Sequence, residues 1–230
     1  MRWRAGWLEQ VQRRTRTLWR GVEAQHRVAT MRLVDDLQEQ ELLEQLLENS
    51  KPPLPAGSGR AHWLLFTPFR YAPPWASRFR KADEPGAWYG ADDPATVAAE
   101  LAYWRWRFFM DSEGLREQQV ITELTFFRAR FDGTELDVTQ PPWSSLRQAW
   151  RAQEYADCHA LAAHVRQVQP PVQAIRYESA RLEGGLCQVV FDLQALALPS
   201  PLVQQGWTCK TTRDRVLLSR DGQSLQFEMG

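Results

Sequence analysis

The spacing of apolar residues changes character along the chain. Residues 1–50 contain no proline and little glycine, and Leu37, Leu42, Leu43, Leu46 and Leu47 recur close to the helical period. This predicts a helical segment whose leucines form one face. The expected outcome is a helix packed on the body of the protein with its acidic side in water; a dimer or partner surface is the alternative. Proline, glycine and serine crowd residues 50–59, which read as a linker. The chain therefore divides into a helical N-terminal extension with its linker, 1–56, and a second unit, 57–230.

Past the linker the runs shorten. Residues 63–66 and 87–90 read as strands. Asp93-Pro94 opens a helix over 93–109, with the acid as N-cap and the proline in the first turn. Its expected buried stripe is Val97, Leu101, Trp104 and Phe108. Alternation predicts strands over 120–131 and 136–139, and a second long helix follows over 145–168. Strands over 174–177, 186–191, 207–212, 216–219 and 224–228 close the chain. Strand and helix do not alternate regularly, so the fold class is α+β and not a doubly wound sheet.

Charge narrows the function classes. Among 230 residues, 28 basic and 28 acidic side chains balance, so no net field draws the protein to nucleic acid or anionic lipid. The charge is locally segregated: bases gather up to Arg32, and residues 35–48 are acidic with no Lys or Arg. No apolar run is long enough for a membrane span, and no signal-peptide core follows the N-terminus, so a cytoplasmic protein is expected. Cys158, Cys187 and Cys209 fit neither a disulfide framework nor a zinc site and read as inert thiols in a reducing compartment. Most of the eleven tryptophans should be core, with Trp75 and Trp88 candidates for lining a pocket.

The candidate chemistry lies in Thr67-Pro68-Phe69-Arg70-Tyr71, Ser77-Arg78-Phe79, Trp88-Tyr89-Gly90, Glu100 and Tyr177-Glu178-Ser179-Ala180-Arg181. Arginine forks suit a diphosphate, an aromatic suits a flat ring, and a carboxylate can steady a cationic sugar. NAD carries all three. Arg70 and Arg78 fall in turn-rich chain among Phe69, Tyr71, Trp75 and Phe79, as a lined groove would; Arg80 reads as an exposed spare. Glu100 flanks the apolar stripe of its helix, where it is either an ion-pair partner or a site residue on a rigid support. Tyr89 precedes a glycine that lets backbone approach a ligand. Ser179 has no nucleophile elbow, and neither His159 nor His164 is spaced for a triad. Walker A, Rossmann and metal-binding patterns are missing, so NAD would be a substrate and not a redox cofactor.

These segments, in order, resemble the RES-domain family, in particular its longer members. The likeness begins near Glu23-Ala24-Gln25-His26 and passes through Leu33-Val34-Asp35 and Gln40-Glu41-Leu42-Leu43-Glu44 to Ser50-Lys51-Pro52. Beyond the candidate segments it takes in Leu136-Asp137-Val138-Thr139, Pro141-Pro142 and Ile175-Arg176. The resemblance implies a diphtheria-toxin-type ADP-ribosyltransferase-like fold and the toxin half of a type II toxin–antitoxin pair. It further implies cleavage of the nicotinamide–ribose bond of NAD, by water or phosphate, with no other cofactor. Transfer of ADP-ribose to a protein, or a non-catalytic interaction module, are the alternatives. Carried over, Glu100, Ser179 and Arg70 would be catalytic, and Arg78, Tyr89 and Tyr71 would bind NAD. The implied partner is an Xre-type antitoxin that covers the active site and makes any DNA contact, in a hetero-oligomer that can contain a toxin dimer. Two positions depart from the family pattern: Glu178 where proline is common, and Ala76 where glycine often precedes Ser77-Arg78. The first would place negative charge beside the pocket.

Overall fold

Helices and strands segregate in the computed structural model, which describes residues 3–24, 29–197 and 201–230. The α+β class holds. Gln25 and His26 of the family-like stretch lie outside the described residues. Among the described residues eight strands form one sheet: β1 (Gln12–Glu23), β2 (Trp88–Ala91), β3 (Val120–Asp137), β4 (Ala174–Glu178), β5 (Leu186–Val190), β6 (Gln204–Thr211), β7 (Arg215–Arg220) and β8 (Gln223–Glu228). Their order is β1-β2-β5-β4-β3-β6-β7-β8, and β1 also pairs with β3, which closes the first five strands into a ring. Along β2 to β5 neighbouring residues enter opposite cores, as a period of two requires. Phe126, Ile175 and Val189 join one cluster, while Phe127, Ala174 and Val190 join the other.

The N-terminal segment is not helical throughout. β1 runs antiparallel to β3 from Gln12↔Glu135 to Glu23↔Leu124, a full ladder. Two of its arginines, Arg16 and Arg20, hide the strand pattern because they meet partners inside the fold. Arg16 donates from Nε and Nη2 to the two oxygens of buried Glu135, both at 2.6 Å. Among the described residues the first α-helix is α1 (Leu37–Ser50), capped by Asp36, whose carboxylate accepts from the Gln38 and Glu39 amides. Its leucines do not pack on the body: Leu37, Leu42 and Leu46 are 75%, 57% and 58% exposed. The buried residue of α1 is Gln40, whose amide donates to Thr30 Oγ1.

Three further elements differ from expectation. Residues expected as a strand over 63–66 open α2 (Trp63–Arg70), since a four-residue apolar run serves a buried helix equally well and His62 Nδ1 caps it. The two strands expected over 120–139 are the single β3. The helix expected over 145–168 is two, α4 (Arg147–Arg151) and α5 (Ala156–Gln167). The break frees the Trp150 and Ala152 carbonyls, which both accept from Arg78 Nη1 at 2.8 Å. α3 (Pro94–Asp111) forms as expected, with Asp93 accepting from the Thr96 amide. It rests on small residues, Ala98, Ala99 and Ala102, so the buried face is rotated, Phe108 stands out in solvent and Trp104 is left half-exposed. Among the described residues no helix is long and apolar enough to cross a membrane.

Candidate functional site

Glu100 is fixed by a loop from across the sheet. Gly185 ends the β4–β5 loop so close to α3 that a Cβ there would lie 2.7 Å from Thr96 Oγ1. That contact brings Ser179 against the helix. The Ser179 hydroxyl donates to Glu100 Oε1 at 2.6 Å, and the Ala180 amide donates to the same oxygen at 3.2 Å. Ser179 Oγ in turn accepts from the Arg181 and Leu182 amides, which orients its proton toward the carboxylate. Both bonds fall on Oε1, leaving Oε2 for a ligand. Ser179 is fully buried and holds Glu100 in place rather than attacking anything itself.

Glu100 faces a cavity of about 250 Å³ shared with three arginines, Arg20, Arg78 and Arg181. Arg78 is presented by the 77–80 turn, in which the Ser77 and Arg80 amides and carbonyls pair. Its guanidinium lies 5.1 Å from the Tyr155 ring centroid, and its two carbonyl acceptors lock it as a fixed charge. Arg20 leaves β1 where β1 and β2 meet at the single pair Trp19↔Ala91. Its Nη1 donates to the Tyr89 carbonyl at 2.8 Å, and its buried Nε has no partner. Burial pulls its pKa down to about 10, which still leaves it charged at neutral pH. Arg181 stacks on Tyr103, 3.2 Å from the ring centroid, with its own Nε buried and unpaired.

Tyr89 lines the cavity with its ring while its hydroxyl is engaged by Ser77 Oγ at 2.8 Å and the Phe79 amide at 3.2 Å. Burial raises its pKa, so the phenol stays protonated. Gly90 beside it has no room for a side chain: a Cβ would meet the Trp88 ring at 2.4 Å and the Trp19 carbonyl at 2.9 Å. Tyr177 and Cys187 close the floor, and burial holds both their pKa values well above normal. The thiol is inert there. Among the described residues no cluster of His, Cys, Asp or Glu could hold a metal.

Glu100, Ser179, Arg78 and Tyr89 thus come together, while Arg70 and Tyr71 do not. Arg70 Nε donates to the Pro52 carbonyl at 2.6 Å and Nη1 to Glu48 at 3.1 Å, tying the end of α2 to the end of α1. Tyr71 accepts the Gly86 amide with its carbonyl and stands outside the cavity lining. Arg80 is buried, not exposed, and donates to the carbonyls of Pro73, Trp75, Lys81 and Glu84, organising the loop that carries Arg78. Trp75 is 70% exposed and Trp88 wholly buried in the other core, so neither lines the cavity. Trp104 and Tyr155 do.

Glu178 does not charge the pocket. Its carboxylate is gripped at both oxygens by Arg147, with Arg151 at 3.5 Å, and these cations hold its pKa below the usual range. Arg20 and Arg181 are the site residues that sequence reasoning passed over. Arg181 stood within a quoted segment. The one sign at Arg20 was the following Gly21, where a Cβ would strike the Leu101 side chain at 2.4 Å, so that α3 can approach the strand.

No curated protein sequence matches the chain. Among solved structures, the M. tuberculosis MbcT–MbcA toxin–antitoxin complex is similar at 14% identity and a TM-score of 0.48, over 98% of this chain and 93% of that one. The family model described as the RES domain matches residues 54–212, which include Arg78, Tyr89, Glu100 and Ser179, and the chain belongs to that family.

Proposed function

We propose that the pocket binds NAD and that the protein cleaves its nicotinamide–ribose bond, as the toxin half of a toxin–antitoxin pair. One observation carries this reading: a carboxylate held at one oxygen by Ser179 and Ala180 faces a cavity with three arginines and an aromatic wall. In the reaction the bond between the ribose anomeric carbon and the nicotinamide nitrogen breaks, and its electron pair goes to the ring. Nicotinamide leaves neutral, so no general acid is required. The positive charge left on the ribose is what needs stabilising, and Glu100 Oε2, hydrogen-bonded to a ribose hydroxyl, supplies that. Arg20 and Arg181, whose guanidinium groups line the cavity, suit the diphosphate. Tyr89 packs on the nicotinamide side. Water or phosphate then bonds to the anomeric carbon and releases its proton to solvent. NAD is consumed as substrate, and no other cofactor takes part.

The family resemblance supports an Xre-type antitoxin over the pocket. Expressing the chain without such a partner should arrest growth and drain cellular NAD, and Glu100→Ala should do neither. Normal growth with abundant soluble wild-type protein and an unchanged NAD pool would contradict the reading. ADP-ribose appearing on a cellular protein would move the acceptor from water or phosphate to that protein.

A further inference from the structure

Resting on that reading of the pocket, we infer that Trp104 is the stacking platform for the adenine end of the dinucleotide. The cavity, about 250 Å³, falls below the ~300 Å³ at which pockets begin to enclose even a drug-sized ligand. A dinucleotide seated with one ribose at Glu100 must therefore carry its other half out to the rim. The direction of exit is set by α3. Trp104 lies one turn beyond Glu100, ~6 Å along the helix axis and on the same face. It lines the cavity, yet its side chain is left 45% exposed. Tyr103 braces it edge-on, with centroids 5.4 Å apart and planes at 79°. Tyr103 also packs near Trp106 and carries the Arg181 guanidinium, so a cation suited to the diphosphate and a half-exposed indole are joined through one ring. Carboxylate, cation and indole thus adjoin one another along the cavity, in the order that suits ribose, diphosphate and base. Stacking on indole accepts any purine face and needs no hydrogen-bond readout.

The test uses full-length protein and steady-state nicotinamide release. Trp104→Ala should raise KM for NAD about tenfold, equivalent to ~1.4 kcal/mol, with kcat within about twofold. Adenosine monophosphate should inhibit the wild type competitively against NAD, and Trp104→Ala should weaken that inhibition by the same factor. Inhibition by nicotinamide, which needs only the floor of the pocket, should not change and reports an intact site. Trp104→Phe keeps a stacking face and should stay near wild type. An unmoved KM in Trp104→Ala, an equal weakening of nicotinamide inhibition, or a wild type indifferent to adenosine monophosphate would each overturn the inference. A wild type that turns over no NAD at all would remove the reading of the pocket as well. Turnover with an unmoved KM would remove this inference alone.

Discussion

Arg70 and Arg20 are both largely withdrawn from solvent, but they do different work. Arg70 spends Nε on the Pro52 carbonyl and Nη1 on Glu48, which leaves it as a tie between α1 and α2. Arg20 spends Nη1 on the Tyr89 carbonyl and lines the cavity, with no other hydrogen bond to a protein partner among the described residues. Arg70→Ala should therefore leave KM for NAD within about twofold of wild type. Arg20→Lys keeps the charge but loses the fork, and should raise KM about thirtyfold, or ~2 kcal/mol, within the ~1.5–3 kcal/mol of a charge-assisted hydrogen bond. Steady-state kinetics on the two variants decides between them, and the reverse ranking would return Arg70 to the site. The sequence displays both as arginines near aromatics, and what separates them is how many donors the fold has already used. Glu100 and Ser179 were legible for a different reason. Asp93-Pro94 fixes where α3 starts and so puts Glu100 inside it, Ser179 follows a short strand in a turn, and the resemblance to the RES family is what joined the two. The departure at Glu178 was legible as a letter but not as a charge, because Arg147 and Arg151 that neutralise it lie on a separate helix.

β1 is the element that the apolar pattern concealed. Only Leu18 on it is fully withdrawn from solvent, and Arg16 and Arg20 occupy positions where a strand usually shows Val or Ile. Such a segment reads as a basic, helix-compatible stretch until the Arg16 guanidinium is known to grip Glu135. The strand is nonetheless integral to the fold. It pairs with β3 along its whole length, closes the ring of five strands and carries Arg20, although the family match begins only at residue 54. A chain beginning at residue 54 would leave one edge of β3 unpaired, Glu135 buried without its cation, and the cavity without one wall. We expect that truncation to be insoluble or to lack a cooperative thermal transition by circular dichroism. A soluble, cooperatively melting fragment would show β1 to be an accessory. α1 is the converse case. Its leucines and acids predicted the helix correctly, but its packing could not be read, because the helix is anchored by Gln40, Glu48 and the Asp36 cap rather than by its leucines.

At the scale of the molecule, one sheet has two apolar faces, and the site opens on the face covered by α3. The α+β class was visible because the strand periods and the two capped or apolar helical runs do not alternate. The ring closure was not, since it depends on a pairing between residues more than a hundred positions apart in the chain. Charge balance at this scale also has a structural meaning: many arginines serve buried carboxylates, carbonyls and the cavity, and few form an open basic stripe of the kind a nucleic-acid binder presents. The central claim is that the carboxylate held by Ser179 acts on NAD. Its most direct test is nicotinamide release from NAD by purified protein freed of any partner, beside Glu100→Gln, which keeps the size and the Ser179 contact but removes the charge. Release by the wild type, with a loss of at least about a hundredfold in Glu100→Gln at an unchanged melting temperature, is the predicted result. Equal release by both proteins would contradict it.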